Sequence, residues 1–196
     1  MIKKVIRKLL FGEKEEQIPS SVSERESSKK SVYADTLGIK PLDRKISPKL
    51  ILQDVFPSVQ WNISGGWGYS QDEATIIQID NTDKGIEMEY AFLQGRTYLE
   101  AIAFMPEEQR FTGIEFEKTS QSLFHDQNNK PYDVIKMKVT AFKESDYEFL
   151  KKDWETHNAY EGDEEGMQKH NSLRNSKQIE YEITGWFDIS AFWGKW

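Results

Sequence analysis

The 196-residue sequence contains no cysteine. The absence of thiols excludes disulfide bonds, thiolate zinc sites and cysteine nucleophiles, and it fits a reducing compartment. The sequence also lacks any apolar run close to the roughly 20 residues that a helix needs to cross a bilayer. Lys and Arg interrupt its first residues too often for a secretory signal. We therefore expect a cytoplasmic protein.

Positive charge is also scarce, because 33 Asp and Glu outnumber 26 Lys and Arg and give a net charge of -7. An acidic domain lacks the basic face that phosphate contacts require, so nucleic acid is not an expected partner. Aromatic side chains, in contrast, are abundant at 13% of the residues, and six of them are Trp. We expect these large side chains to form much of the core.

The first twelve residues predict a basic amphipathic helix. Aliphatic side chains recur at helical spacing, basic side chains fill the opposite face, and Gly12 stands where such a helix would end. A free helix this short is marginal in water, so it requires a docking surface. That surface is its own domain, a protein partner, or the anionic inner face of the membrane. The remaining alternative is a disordered start that does not dock. The residues expected to dock are Ile2, Lys3, Lys4, Val5, Ile6, Arg7, Lys8, Leu9 and Leu10.

Composition divides the chain into residues 1–12, 13–30 and 31–196. Residues 13–30 are rich in Glu, Lys and Ser and have almost no large apolar side chain, which predicts a disordered linker. Residues 31–196 carry most of the apolar and aromatic side chains and predict one acidic, aromatic-rich α+β domain. We expect a mainly antiparallel sheet of about five to seven strands with few helices.

Two stretches alternate in hydrophobicity as half-buried strands do, one at residues 132–142 and the other at residues 179–189. The polar face of the first carries lysines, and that of the second carries glutamates. Antiparallel pairing would place these opposite charges side by side, so we expect the two strands to be neighbours. Alternation at residues 114–117 favours a further strand.

A hairpin is predicted at residues 76–92. Isoleucines at 76–79 favour one strand, residues 83–85 favour a turn, and alternation at 86–92 favours a second strand. Residues 96–104 fit either a strand or a helix.

Capping patterns predict the helices. Residues 145–148 match a capping box, which predicts a helix from about 146 to 157. A second capping box begins at Ser70, but a β-branched run follows it, so we expect one helical turn and then a strand. Pro48 favours the start of a short helix.

The segment of residues 61–70 combines three glycines with Trp61, Trp67 and Tyr69. These rings either anchor a turn in the core or form a ligand loop that binds carbohydrate. A phosphate-binding loop is excluded, because neither the Walker lysine pattern nor a complete dinucleotide glycine pattern is present. Trp193 and Trp196 form a second candidate contact region, since the C-terminal residues are unusually apolar.

The region between His157 and His170 is strongly acidic. Its spacing matches no standard zinc site, and a solvated acidic loop is the simpler interpretation. The alternative is a metal-assisted or acid/base enzyme. Its first candidate side chains are His157, Asp163, Glu164 and His170, and Glu161 and Glu165 complete the group that could bind a divalent cation.

No motif assigns a catalytic residue, a metal ligand or a cofactor. We therefore expect a non-catalytic interaction module that binds a macromolecular partner, as an immunity or adaptor protein does. Because the chain is acidic, a basic protein is the expected partner. The enzyme and the carbohydrate-binding module remain the alternatives.

Overall fold

The computed structural model describes residues 37–195. The predicted helix of residues 1–12, the predicted linker of residues 13–30 and Trp196 lie outside the described residues. The described part of the chain has an α+β fold with four α-helices and one five-stranded sheet.

The helices and strands follow one another along the chain, with short helical turns between some of them. The sheet order is β1-β2-β5-β4-β3. The elements are α1 (Pro48–Val55), β1 (Ile63–Gly65), β2 (Thr75–Ile77), α2 (Thr82–Tyr98), β3 (Phe111–His125), β4 (Pro131–Lys143), α3 (Glu144–Thr156), α4 (Glu164–Lys177) and β5 (Ile179–Asp188).

The predicted pairing of the two alternating strands is confirmed. They form β4 and β5, which are antiparallel neighbours, and Lys138 lies opposite Glu182. The sheet is mixed, however, because β2 and β5 are parallel while the other three pairings are antiparallel. The helices between β2 and β5 are part of the long connection that a parallel pair requires.

The predicted strand at residues 86–92 is wrong, because these residues belong to helix α2. The side chain of Asn81 accepts a hydrogen bond from the backbone N–H of Lys84 at 3.0 Å and caps the helix. Buried positions then recur every three or four residues, as a helix packed on a sheet requires. The buried residues are Gly85, Met88, Glu89, Phe92, Leu93, Gly95, Arg96 and Thr97.

Helix α2 packs closely on one face of the sheet. The ring of Phe92 meets that of Phe187 on β5 edge to face, with centroids 5.8 Å apart. A Cβ atom at position 185 would lie 2.6 Å from Cδ2 of Leu93. The helix and the strand can therefore approach this closely only because residue 185 is a glycine. The same helix face carries the polar side chains described below.

The predicted helix near residues 146–157 is confirmed as α3, but its capping box is wrong. The helix begins two residues earlier, at Glu144, and no side chain caps it. At Ser70 the predicted turn and strand are both present, as a 3-10 turn at Gln71–Glu73 followed by β2, again without a side-chain cap. Helix α1 begins at Pro48 as predicted.

We expect Gly185→Ala to destabilise the fold by about 1 to 3 kcal/mol, because the added methyl group overlaps Leu93 and Phe187. Chemical denaturation measures the change in the free energy of unfolding. Glu182→Ala on the exposed face of the same strand is the control and should change it by less than about 0.5 kcal/mol. Equal effects of the two substitutions would contradict the packing described for α2.

Candidate functional site

A cleft of about 530 Å³ opens between the segment of residues 38–46, helix α1 and residues 100–109, which follow α2. Its volume lies within the range of ligand-binding pockets. Most of its wall is apolar, and a few polar side chains interrupt it. The lining residues are Gly38, Lys40, Pro41, Leu42, Asp43, Ile46, Ile51, Trp67, Glu100, Phe104, Met105, Pro106 and Gln109.

Glu100 is the buried polar side chain of this cleft, with only 7% of its surface exposed. The hydroxyl of Tyr69 donates a short hydrogen bond to its Oε1 atom. That hydroxyl in turn accepts a hydrogen bond from the backbone N–H of Leu42 at 2.8 Å. Tyr69 thereby connects the carboxyl group to the chain segment that forms the outer wall of the cleft.

Arg96 lies one helical turn before Glu100, and its Nε is 3.7 Å from Oε1 of that residue. Its two terminal nitrogens donate to the backbone carbonyls of Trp67 at 2.8 Å and Thr184 at 2.9 Å. Its guanidinium group also lies 4.8 Å from the ring centroid of Tyr69. The side chain is 2% exposed and joins α2 to the 61–70 segment and to β5.

A π-helical turn at Leu99–Ala103 positions Glu100. The backbone N–H of Phe104 donates to the carbonyl of Leu99 at 3.0 Å, which is the i to i+5 bond of a π-helix. Such a turn contains an extra residue, and turns of this kind are frequent at functional sites. Here it lies where the helix meets the cleft and brings Glu100 and Phe104 to the same opening.

The protonation of the two groups follows from their burial. Burial raises the pKa of Glu100, and the nearby Arg96 and the hydroxyl of Tyr69 oppose that rise. Burial and the neighbouring Glu100 both raise the pKa of Tyr69 above its usual range. Tyr69 therefore remains a hydrogen-bond donor at neutral pH, and Glu100 acts as its acceptor.

The described lining residues include no Ser, Thr, Cys or His. The cleft thus combines mainly apolar walls with the carboxyl groups of Asp43 and Glu100, the amine of Lys40 and the amide of Gln109. This arrangement is suited to binding a mainly apolar group that carries a polar atom.

The rings of the 61–70 segment lie mostly inside the protein. Trp61 and Trp67 are 1% and 2% exposed, and Tyr69 is half-buried with its hydroxyl occupied. The carbohydrate hypothesis required two exposed rings, and neither Trp ring offers a face to solvent. Trp67 nevertheless lines the cleft, and its Nε1 donates to the carbonyl of Asp43 at 3.2 Å.

The two ends of the predicted C-terminal contact region differ. Trp193 is 41% exposed, and its ring meets His125 with centroids 5.7 Å apart. The adjacent Phe192 is buried against Gly85 of α2. Trp196 lies outside the described residues.

The region between His157 and His170 is mainly helical, so the predicted acidic loop is wrong. Asp163 caps α4 by accepting from the N–H of Gly166 at 2.9 Å, which orders the chain there. No group of three or more His, Asp or Glu among residues 37–195 is placed to hold a metal ion. The exposed acidic side chains are Glu161, Asp163, Glu164 and Glu165.

Both histidines instead contact Asp153, which sequence reasoning missed. Nδ1 of His170 lies 2.7 Å from Oδ2 of Asp153, and the hydroxyl of Tyr160 donates to the same oxygen at 2.6 Å. Nδ1 of His157 lies 2.8 Å from the backbone carbonyl of Asp153. The hydrogen bonds from Tyr160 and His170 lower the pKa of Asp153, so this carboxylate stays charged. We name these four residues the Asp153 cluster.

A left-handed turn brings Tyr160 into the Asp153 cluster. Asn158, Ala159 and Tyr160 have φ values of 50°, 58° and 56°, and none of them is glycine. Each such residue carries a steric cost of roughly 1 to 2 kcal/mol in this conformation. The bonds around Asp153 help to hold the turn in place.

We expect Ala159→Gly to stabilise the protein by up to about 1 kcal/mol, because glycine adopts a positive φ without a Cβ clash. Thermal unfolding monitored by circular dichroism measures the effect. Ala103→Gly in the π-helical turn is the control and should destabilise by about 0.5 to 1 kcal/mol. Destabilisation by both substitutions would contradict a strained turn at Ala159.

A second buried carboxyl group lies on α2. Glu89 has no exposed surface, and neither of its carboxyl oxygens has a hydrogen-bond partner within the described part of the chain. Burial, and to a lesser extent the nearby Asp133 on β4, raises the pKa of Glu89 to about 9. Asp133 accepts a short hydrogen bond from Gln121 on β3. Glu89 is therefore protonated at neutral pH.

This protonation predicts a pH dependence of stability. The folded protein keeps a proton on Glu89 that the unfolded chain releases above its ordinary pKa of 4.5. Stability should therefore fall as pH rises from about 4.5 toward 9, by at most about 1.4 kcal/mol per pH unit from this group.

We expect Glu89→Gln to flatten this decline, so that the variant gains stability relative to the parent as pH rises. Urea unfolding at a series of pH values between 5 and 9 measures the difference. Glu87→Gln, on the exposed side of the same helix, should leave the slope unchanged. A parallel pH profile for the parent and the Glu89 variant would contradict a protonated Glu89.

Sequence reasoning also missed Arg96 and Glu100. The available signal was an Arg and a Glu four residues apart in a mostly apolar segment. A buried helix seldom carries charged side chains unless they are paired, so this spacing indicates a buried pair. Because residues 96–104 fit either a strand or a helix, the i to i+4 spacing of Arg96 and Glu100 was not recognised as a helical pair.

Comparison with protein-family models, with curated proteins and with solved structures returns no match to this chain. None of the helices described between residues 37 and 195 combines the length and apolarity that spanning a bilayer requires. The function is therefore inferred from the cleft itself.

Proposed function

We propose that this protein is a non-catalytic interaction module that binds a segment of a macromolecular partner in the cleft. The observation that carries the proposal is the apolar rim. Phe104 is 59% exposed and Ile46 is 44% exposed at the cleft, and Leu50 is 71% exposed next to Ile51 on α1. Large apolar side chains gathered around a concave site are typical of peptide-binding grooves.

Charge supports a basic partner. Residues 37–196 contain 27 Asp and Glu against 18 Lys and Arg, so the described domain is more acidic than the whole chain. Glu107 and Glu108 are exposed directly after Pro106, which lines the cleft. Negative charge at the rim would steer a positively charged protein toward the cleft and would act mainly on the association rate.

The proposal also assigns the protein a cellular location. An interaction module of this kind would act in the cytoplasm, where the lack of cysteine is unremarkable. The basic residues 2–10 would hold the acidic domain near an anionic membrane or a partner surface.

The cleft is tested by selecting peptides from a random library displayed on phage against the immobilised full chain, and by measuring their affinity by fluorescence anisotropy. We expect Phe104→Ser to weaken binding at least about tenfold, since burying a Phe side chain contributes about 1.5 to 3 kcal/mol. Phe149→Ser on α3 is the matched control, because Phe149 is 55% exposed and does not line the cleft.

Two results would count against the proposal. One is a selection that enriches no peptide. The other is an equal loss of affinity in the Phe104 and Phe149 variants, which would show that binding does not use the cleft.

A further inference from the structure

We infer that the protein forms a two-fold symmetric dimer in which residues 120–125 of strand β3 pair antiparallel with the same residues of a second copy. The inference goes beyond the proposed function and uses a different surface, because these residues do not line the cleft. It depends on an open strand edge, on the absence of charge along that edge, and on the opposite charges at its two ends.

Strand β3 is one of the two edges of the sheet. The backbone N–H of Asp126 donates to the carbonyl of Lys130 at 3.1 Å, which fixes the alternation of hydrogen bonds between β3 and β4. Every second residue of this part of β3 bonds to β4, and the others turn their N–H and carbonyl groups toward the free edge. No backbone group within residues 37–195 pairs with them there. The residues that face the free edge are Gln121, Leu123 and His125.

This part of the edge lacks the features that usually keep edge strands from pairing. The first half of β3 carries charged side chains and two register shifts, between Thr112 and Glu115 and between Lys118 and Ser120. The opposite edge of the sheet, β1, has only three residues. Residues 120–125, in contrast, contain no register shift, proline or charged Asp, Glu, Lys or Arg, and all of them are exposed. Such an edge is open to the addition of a strand.

Two large apolar side chains accompany the open backbone. Leu123 is 46% exposed and Phe124 is 41% exposed, and as neighbours in a strand they lie on opposite faces of the sheet. The ring of Phe124 meets the half-buried Trp186 of β5 edge to face, with centroids 5.8 Å apart. An added strand would cover both side chains and the open backbone groups together.

The charges around the edge favour a second copy as the added strand. Lys118 precedes the uncharged residues and Asp126 follows them. Antiparallel pairing of two copies places the Lys118 end of each strand beside the Asp126 end of the other, so opposite charges meet at both ends. A parallel arrangement would place like charges together. Two chains with a net charge of -7 repel each other, and the uncharged edge lets them approach with the least repulsion.

The backbone geometry accepts a two-fold axis at Leu123. In an antiparallel pair, residues directly opposite each other bond together and point to the same face. An axis through Leu123 pairs it with Leu123 of the second copy, and pairs Gln121 with His125 of the second copy. All of these backbone groups face the free edge, and the two Leu123 side chains meet across the axis. The sheet would then continue through both copies.

Sedimentation velocity of the full chain at about 1 to 500 µM measures the association. We expect a reversible dimer whose dissociation constant rises at least about tenfold in Leu123→Lys, because the substitution places two like charges at the axis. Phe149→Lys is the matched control, since Phe149 is 55% exposed on α3 and is not part of the strand.

Amide hydrogen exchange measured by NMR tests the strand pairing itself. Above the dissociation constant, exchange should slow at Gln121, Leu123 and His125, whose N–H groups face the edge. Exchange at Ser122 and Phe124 should change little, because these residues already bond to β4. Equal slowing at all five residues would contradict pairing through the edge and overturn the inference.

Single-cysteine variants show which residues meet, because the chain contains no cysteine of its own. A two-fold axis at Leu123 predicts that Leu123→Cys forms a disulfide between copies faster than Gln121→Cys or His125→Cys. Glu107→Cys, at an exposed site outside the strand, should react most slowly. Equal rates at the three strand positions would indicate a parallel arrangement and overturn the inference.

The remaining outcomes also decide the matter. A chain that stays monomeric over this concentration range, or a dimer that Leu123→Lys and Phe149→Lys weaken equally, overturns the inference. Protection of the edge amides only after a peptide selected on the chain is added would assign the edge to a different polypeptide and would overturn it as well. None of these results alters the test of the cleft.

Discussion

The buried charge of Arg96 is the constraint on which the centre of this protein depends. A guanidinium group that is 2% exposed must be balanced, and its partners come from three separate parts of the chain. Glu100 lies beside it, with Oε1 3.7 Å from Nε, while the carbonyls of Trp67 and Thr184 accept hydrogen bonds from its two terminal nitrogens. Helix α2, the 61–70 segment and β5 are thereby held in one arrangement. The cleft is formed where these parts meet the segment of residues 38–46.

The same arrangement links stability to binding. Glu100 contacts Arg96 and Tyr69 and also lines the cleft, so one residue belongs both to the core of the fold and to the proposed binding site. Its position on a π-helical turn, next to the exposed Phe104, places recognition and apolar contact at one opening. Glu89, about three helical turns earlier on α2, is a second buried carboxyl group. Within residues 37–195 no cation is paired with it, and burial keeps it protonated at neutral pH.

Local sequence patterns predicted the strands that expose one face to solvent. β4 and β5 alternate because one side of each strand faces the core, and the charges on the other side even indicated their pairing. The same kind of alternation misled at residues 86–92, where a short apolar pattern fits both a strand and a helix. The buried positions of this helix follow a helical period only when the charged residues Glu89 and Arg96 are counted together with the apolar ones. Likewise, the two histidines near the acidic region were noticed, but Asp153, which holds both, lies outside that region in sequence.

The sequence by itself determined the fold class, the acidic character, the absence of thiol chemistry and the strands with alternating faces, because each of these depends on composition or on neighbours a few residues apart. Tertiary structure alone decided which polar side chains meet. Tyr69 and Glu100 are 31 positions apart, and Arg96 and Thr184 are 88 apart, yet each pair is joined by a hydrogen bond. Their burial also raises the pKa values of Tyr69 and Glu100. Such contacts arise from packing between distant segments, which no local spacing encodes.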